Sequence, residues 1–125
     1  MKSNYPTLTG VVVRGRKIAR ELGYPTMNLD VPLNFSLGYG IYAGFMEYKN
    51  IQYPSVISMG VNPHFKMVKP VLEVHVFDFK QNLYDELIRI IPLFFIREEM
   101  KFDNVESLIK QIKQDCIIAN ELLLI

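Results

Sequence analysis

The hydrophobic pattern of the chain changes near residue 103, from short strand-like runs to one long helical repeat. Upstream, apolar and β-branched residues form short runs bounded by Gly, Pro, Asn and Asp, which is typical of strands. The clearest alternation places Leu72, Val74 and Val76 on one face and Glu73 and His75 on the other. The pattern predicts strands over 8–13, 40–48, 53–59, 71–79 and 87–96, with a turn at 49–50. Within the last strand, a proline predicts an edge position or a bulge.

The last predicted element is an amphipathic helix. Asp103 can cap it, and Glu106 lies three residues further on, as in a capping box. Apolar or small residues then recur at helical spacing and predict a stripe that faces the core: Val105, Leu108, Ile109, Ile112, Cys116 and Ala119. Several short strands followed by one helix predict a closed or partly closed antiparallel barrel with the helix packed outside it.

Composition favours a single compact domain. The chain has 125 residues, of which 50% are hydrophobic and 22% are charged, so it can bury one core but not two. A net charge of +1 gives no electrostatic reason to expect nucleic acid or a membrane as partner. The single cysteine excludes an internal disulfide and predicts a reducing compartment, the cytoplasm. There is no zinc-like ligand spacing and no apolar run long enough to span a membrane.

The segment Leu22–Asn28 carries the most specific chemistry in the chain. Pro25 restricts its own φ angle and pushes Tyr24 out of the helical region, so the segment is predicted to be extended. Thr26 and Asn28 then project from the same face, and Met27 points the other way. A hydroxyl and an amide oxygen suit a magnesium ion that still has phosphates to bind. The alternative is an ordinary hydrogen-bonded turn.

A series of short motifs extends this pattern along the chain. The series begins with the glycine-bounded run Gly10–Gly15 and the basic run Arg16–Arg20. The motifs that follow are Pro-Thr-x-Asn at 25–28, Gly-Ile-Tyr at 40–42, Gly-Val-Asn-Pro at 60–63, Leu-Glu-Val-His at 72–75, Asn-Leu-Tyr at 82–84, Phe-Ile-Arg at 95–97 and Lys-Phe at 101–102. In this order and at these intervals, the set resembles the riboflavin kinase (flavokinase) family, from about Leu8 to about Leu123.

The resemblance implies a fold and a reaction. It implies one riboflavin kinase domain over residues 1–125, mainly β, built as a six-stranded antiparallel Greek-key barrel with a C-terminal helix outside. The implied activity is transfer of the γ-phosphate of ATP to the terminal ribityl hydroxyl of riboflavin, giving FMN and ADP, with Mg²⁺ or another divalent ion. The implied partners are therefore small molecules, and we expect a monomer that binds neither nucleic acid nor membrane.

The resemblance also assigns residues to roles. Glu73 is the expected catalytic base, and its alternative is a strand carboxylate paired with a neighbouring Lys or Arg. Arg97 and Phe102 are expected to contact flavin, although Phe102 can also hold the start of the helix. The residues expected to bind ATP and phosphate are Gly15, Lys17, Arg20, Pro25, Thr26 and Asn28, the last two also holding the metal. No Gly-x4-Gly-Lys-Ser/Thr motif is present, so the phosphates need another cradle.

One departure and two alternatives qualify the resemblance. Ala19 stands where the family usually has glycine, and alanine has fewer backbone conformations, so we expect this departure to affect nucleotide affinity more than the reaction. The chain can instead be a non-catalytic flavin- or nucleotide-binding module, or an interaction barrel with exposed aromatics such as Tyr5, Tyr39 and Tyr48. Many bacterial relatives of such kinases also carry an adenylyltransferase. The chain has no room for that activity, so it is either a monofunctional kinase or part of a longer protein.

Overall fold

A computed structural model describes residues 4–15, 23–61 and 69–124. Six strands precede a long helix, and their bounds are β1 Leu8–Val13, β2 Met27–Asp30, β3 Gly40–Tyr48, β4 Ile51–Gly60, β5 Val71–Val76, β6 Leu87–Arg97 and α1 Val105–Leu123. The predicted bounds of β1 and β3 are confirmed. β5 ends three residues before its predicted end, because Asp78 has a φ of +52° that breaks the extended conformation.

All strand pairs are antiparallel, and the sheet closes into a barrel in the order β1-β2-β5-β4-β3-β6. β3, β4 and β5 follow one another, and β6 returns to pair with β3, which is the arrangement of a Greek key. The predicted six-stranded barrel with an outer C-terminal helix is therefore confirmed. The strand order matters for the site because it places β2, β5 and β4 side by side.

The barrel interior is filled by the inward faces of the alternating strands. The predicted face of β5 is confirmed, since Leu72 and Val74 are fully buried and Val76 is nearly so. They pack with aliphatic, Met and Tyr side chains from the other strands and their connections, namely Leu8, Val12, Leu29, Leu37, Tyr42, Met46, Ile57, Met59, Leu83, Ile88 and Ile90. Because the interior is filled with side chains, any ligand site must lie on the outside or at a rim.

The connection of β3 to β4 and the bulge in β6 both follow sequence signals. Lys49 and Asn50 both have positive φ, which is the requirement of a tight two-residue hairpin turn. Along β6, Ala43 pairs with Phe94 whereas the next residue, Gly44, pairs with Pro92, so one β6 residue is skipped. The predicted bulge at the proline is confirmed.

Gly44 permits the close approach of β3 to this bulge, which gives a first prediction. A Cβ at Gly44 would meet the Ile91 carbonyl oxygen and lie 2.9 Å from the Pro92 Cα, and neither backbone atom can move aside cheaply. Gly44→Ala should therefore lower the free energy of unfolding by about 1–3 kcal/mol, as overpacking does elsewhere. Denaturant unfolding measures this. Gly38→Ala is the control, since its Cβ would make only an ordinary 3.5 Å contact with Tyr42 Oη; equal losses in both variants would contradict the prediction.

Helix α1 begins one residue later than the sequence suggested. Asn104, not Asp103, is the N-cap, and its side-chain oxygen accepts a hydrogen bond from the Ser107 backbone N–H at 2.8 Å. Both residue types cap helices well, so the pattern did not distinguish them. In its second half the helix buries Ala119 and Leu123 against outward-facing apolar residues of the barrel, namely Ala43, Phe45, Val56, Phe77, Leu93 and Ile96. In the described residues, no helix is long and apolar enough to cross a membrane.

Candidate active site

A cleft of about 790 Å³ lies outside the barrel, between its wall and the first half of α1. Its floor is the outer face of β2, β5 and β4. One side is formed by α1 and by the segment between β6 and α1, and the other by the end of β1 at Arg14 and Gly15. The cleft therefore lies where the predicted site residues from five separate parts of the chain come together.

The floor carries a row of polar side chains across three neighbouring strands. Glu73 of β5 is paired in register with Asn28 of β2 on one side and with Ser58 of β4 on the other. All three line the cleft. Ser58 was not predicted as a site residue, because a serine in an apolar strand carries no signal until the strand is known to lie beside Glu73.

Glu73 lies in a desolvated part of this row. Burial raises the pKa of its carboxyl group above the ordinary value, because the charged form has lost water. Of the salt bridges in the described part of the chain, none involves Glu73. The alternative of an ordinary ion-paired strand carboxylate therefore finds no support among the described residues. A half-buried carboxylate with a raised pKa at the floor of a cleft has the character of an acid–base group.

Asn28 and Thr26 face the cleft together, as the sequence predicted. Asn28 is buried, and a Cβ at Gly15 would overlap its side-chain amide, so only glycine lets the end of β1 lie against it. Met27 packs against the barrel core on the opposite face. The extended conformation thus places a hydroxyl and an amide oxygen on one surface.

His75 holds the segment that leads into β2. Its Nδ1 lies 2.8 Å from the Pro25 carbonyl oxygen, and because a carbonyl only accepts, Nδ1 is the donor. The Tyr24 ring contacts the imidazole edge-on, with centroids 5.6 Å apart. His75 therefore fixes the backbone that presents Thr26, which is a positioning role and agrees with the absence of any predicted catalytic role for it.

The residues at this end of the cleft fit a magnesium ion. Thr26 and Asn28 offer neutral, hard oxygens, which suit Mg²⁺ when phosphates complete its coordination. Within residues 4–15, 23–61 and 69–124, no group of three or more His, Cys, Asp or Glu side chains is arranged to hold a metal by itself. Such a donor set suits an ion that arrives with a nucleotide better than a permanently bound one.

The helix side of the cleft is apolar. Leu108 and Ile112 of α1 face Val56 and Ile41 of the barrel wall across the opening, and Phe102 lies at its edge. Cys116 belongs to the same surface, and burial, followed by the charge of Asp115, raises the pKa of its thiol to about 11. The thiol is therefore protonated at neutral pH and behaves as a small apolar residue, as the sequence predicted. Such a wall suits a flat, largely apolar ring system.

Arg97 lies at the junction of β6, α1 and the cleft, and it is held by a buried carboxylate. Its Nε donates to Asp115 Oδ1 at 2.9 Å and its Nη2 to Asp115 Oδ2 at 2.8 Å. A third hydrogen bond runs from Nη1 to the Glu98 carbonyl oxygen. Only 4% of the Asp115 side chain is exposed. Asp115 was not predicted, although a lone carboxylate within an apolar helical stripe is a signal for a buried cationic partner.

Glu99 is a further carboxylate of the cleft. A Cβ on Gly60, at the end of β4, would overlap the Glu99 carboxylate, so the glycine lets the segment between β6 and α1 lie against the strand. Burial raises the pKa of Glu99, and the nearby charge of Arg97 opposes this shift. Glu99 was not predicted as a site residue.

Of the residues assigned from sequence, the structure brings most into one cleft. Thr26, Asn28 and Glu73 lie on the floor, and Gly15, Arg97 and Phe102 on the sides. Pro25 does not line the cleft, but its carbonyl anchors the approach to β2. Lys17 and Arg20 lie outside the described residues. The individual roles of all these residues remain predictions.

Comparison with known proteins identifies the family of the chain. A family model described as riboflavin kinase (flavokinase) matches residues 2–123. The chain belongs to the riboflavin kinase family. It is 35% identical to the riboflavin kinase of Mus musculus over 85% of this chain and 73% of that protein. It is 38% identical to the RNA-binding riboflavin kinase RibR of Bacillus subtilis over 86% of this chain, but it spans only 47% of that protein's length.

Two solved structures resemble the chain. A riboflavin kinase from Trypanosoma brucei matches 94% of this chain and 78% of its own, with a TM-score of 0.65 and 22% identity, which supports the fold. A Streptococcus pneumoniae structure titled as a macrolide-efflux protein matches 91% of this chain and 38% of its own, with a TM-score of 0.80 and 34% identity. The same barrel is therefore also part of a longer chain whose structure has a different title.

Proposed function

We propose that the chain transfers the γ-phosphate of ATP to the terminal ribityl hydroxyl of riboflavin, giving FMN and ADP. The observation that carries the proposal is the row Asn28–Glu73–Ser58 on the cleft floor of a riboflavin kinase family member. It puts a desolvated carboxylate beside a hard oxygen ligand, with an apolar wall opposite. Phosphoryl transfer needs positioning and charge stabilisation more than covalent chemistry, and this site offers both.

The reaction can be followed through the chain's own residues. The ribityl hydroxyl oxygen attacks the γ-phosphorus, and the bond from that phosphorus to the bridging oxygen breaks, with its electron pair leaving on ADP. The hydroxyl proton passes to the Glu73 carboxylate, which is a better acceptor because its pKa is raised. Bound by Thr26 and Asn28, a divalent ion would supply positive charge to the phosphates.

In this proposal, each of the two substrates binds to a different part of the cleft. The end with Gly15, Thr26 and Asn28 receives the nucleotide phosphates. The apolar side, with Phe102 at its edge and Leu108 and Ile112 behind it, receives the flavin ring. The reacting hydroxyl then lies over Glu73, between the two ends, so in-line transfer requires both substrates at once.

We further propose that residues 1–125 act as one kinase domain. The prediction of no nucleic-acid partner stays a prediction, as do the monomeric state and the cytoplasmic location. The name of the B. subtilis relative, which describes an RNA-binding kinase, makes RNA the partner to test first.

A direct assay tests the proposed function. The protein is incubated with riboflavin, ATP and MgCl₂, and the flavins are separated by chromatography. We expect FMN and ADP in equal amounts, with neither formed when riboflavin or ATP is omitted. The second candidate is a flavin- or nucleotide-binding module without turnover. It predicts quenching of riboflavin fluorescence by the protein but no FMN, and that result would replace the kinase proposal.

A further inference from the structure

We propose that Asp115 is a positioning residue that sets the Arg97 guanidinium against the flavin. The inference rests on the proposed function, since it concerns the flavin end of the same cleft. Its basis is a two-point contact between the side chains. Asp115 occupies both Nε–H and one N–H of Nη2, which fixes the plane of the guanidinium and not only its charge.

The pairing leaves donors for a ligand. A guanidinium carries five N–H groups, and the contacts to Asp115 and to the Glu98 carbonyl use three. One N–H on Nη1 and one on Nη2 have no partner in residues 4–15, 23–61 and 69–124. Arg97 and Asp115 both line the cleft. The carbonyl oxygens of a flavin's pyrimidine ring are acceptors of suitable chemistry for such donors.

The surroundings of Asp115 show that its orientation is itself controlled. Gln111, one helical turn earlier, donates from Nε2 to Asp115 Oδ1 at 3.0 Å. Oδ1 thus accepts from both Gln111 and Arg97, while Oδ2 accepts from Arg97 alone among the described contacts. A chain of three side chains therefore runs from α1 to the end of β6. A simple surface ion pair has no such second support, as the 3.6 Å pair between Arg89 and Glu47 illustrates.

The test distinguishes a role of Asp115 in orienting Arg97 from a role in holding α1 against the barrel. Asp115→Asn removes the charge but keeps the shape. We expect its Kd for riboflavin, measured by flavin fluorescence quenching, to rise about ten-fold or more, because a misplaced contact group is costly. The KM for ATP should stay within about two-fold, since the phosphate end is untouched. Glu47→Gln, which breaks the surface pair away from the cleft, is the matched control and should change neither constant.

Two more variants decide whether Asp115 acts through Arg97. Arg97→Met should raise the riboflavin Kd, and it should also lower the melting temperature because the buried Asp115 carboxylate loses its cation. Adding Asp115→Asn should restore the melting temperature. It should neither restore nor further weaken riboflavin binding. Should Asp115→Asn fail to fold, Gln111→Met perturbs the same chain mildly and should raise the riboflavin Kd by about three-fold.

Four outcomes overturn the proposal. The first is a lower melting temperature with an unchanged riboflavin Kd in Asp115→Asn, or in Gln111→Met if Asp115→Asn does not fold. That result would show that the ion pair only holds α1 against the barrel. A further loss of affinity when Asp115→Asn is added to Arg97→Met would show that Asp115 does not act through Arg97. If the unmodified protein binds no riboflavin, the proposed function fails and this inference fails with it. An unmodified protein that makes FMN while the variants bind normally defeats the inference alone.

Discussion

Glu73→Gln is expected to lower kcat by about 10²–10⁴-fold, the usual cost of losing a general base. Glutamine keeps the size of the side chain beside Asn28 and Ser58, its register partners on the neighbouring strands, but it cannot accept the hydroxyl proton. Binding of nucleotide should change little, because the phosphate end of the cleft keeps its residues. Steady-state kinetics together with calorimetric titration of ADP separate these two effects.

The pH dependence of the unmodified enzyme adds an independent check. Burial raises the pKa of Glu73, and the base must be ionised to work. The acid limb of kcat/KM should therefore lie above the ordinary carboxylate range. The raised pKa of Glu73 has the opposite effect on folding stability, which it favours at low pH and not at high pH. A raised folded-state pKa favours the fold at low pH, and this contribution is lost as pH rises through the folded pKa. At about pH 7 Glu73→Gln should therefore melt higher than the unmodified protein, and the difference should shrink at acidic pH.

A control variant sharpens this prediction. Glu47 is also a strand carboxylate, but it lies outside the cleft and pairs with Arg89 across β3 and β6. It represents the alternative that was considered for Glu73. Glu47→Gln should leave kcat unchanged within about two-fold, as surface substitutions normally do. A Glu73→Gln variant that keeps more than about half of its kcat would rule Glu73 out as the base.

The fold was largely predictable because its strands alternate clearly. β1 and β3 have their predicted bounds, and the proline of β6 marks its bulge. The errors have local causes. Phe77 and Phe79 are strand-favouring residues that extended the predicted β5, but the positive φ of Asp78 ends the strand. Asp103 and Asn104 are both good caps, and only the geometry chooses between them.

The candidate site was less predictable, because it depends on which strands are neighbours. Ser58 and Glu73 are far apart in sequence, and no local pattern says that β4 lies beside β5 at this register. The family resemblance supplied Glu73 but not its neighbour. Asp115 is different, since its charge within the apolar stripe of α1 was visible in the sequence. What the sequence could not give was its partner, Arg97, at the end of another element.

The second large effect concerns the metal–phosphate end. Thr26→Val and Asn28→Ala should each weaken Mg²⁺-dependent ADP binding by about ten-fold or more. Changes to groups that merely orient metal ligands typically cost 10–100-fold, and loss of a ligand should cost no less. Thr26→Val is the cleaner variant, since it exchanges a hydroxyl for a methyl group with little change in volume. Calorimetric titration of ADP at several Mg²⁺ concentrations gives a readout that does not depend on turnover.

The neighbouring residue supplies the control for this prediction. Met27 lies between the two proposed ligands in sequence but packs toward the barrel core, so Met27→Leu should alter stability without altering Mg²⁺ dependence. Asn28→Asp keeps an oxygen at the same place and should retain Mg²⁺-dependent binding that Asn28→Ala loses. If ADP binding keeps the same Mg²⁺ dependence in both Thr26→Val and Asn28→Ala, these side chains are not the metal ligands. Their shared face at the start of β2 would then serve only the turn and the packing against Gly15.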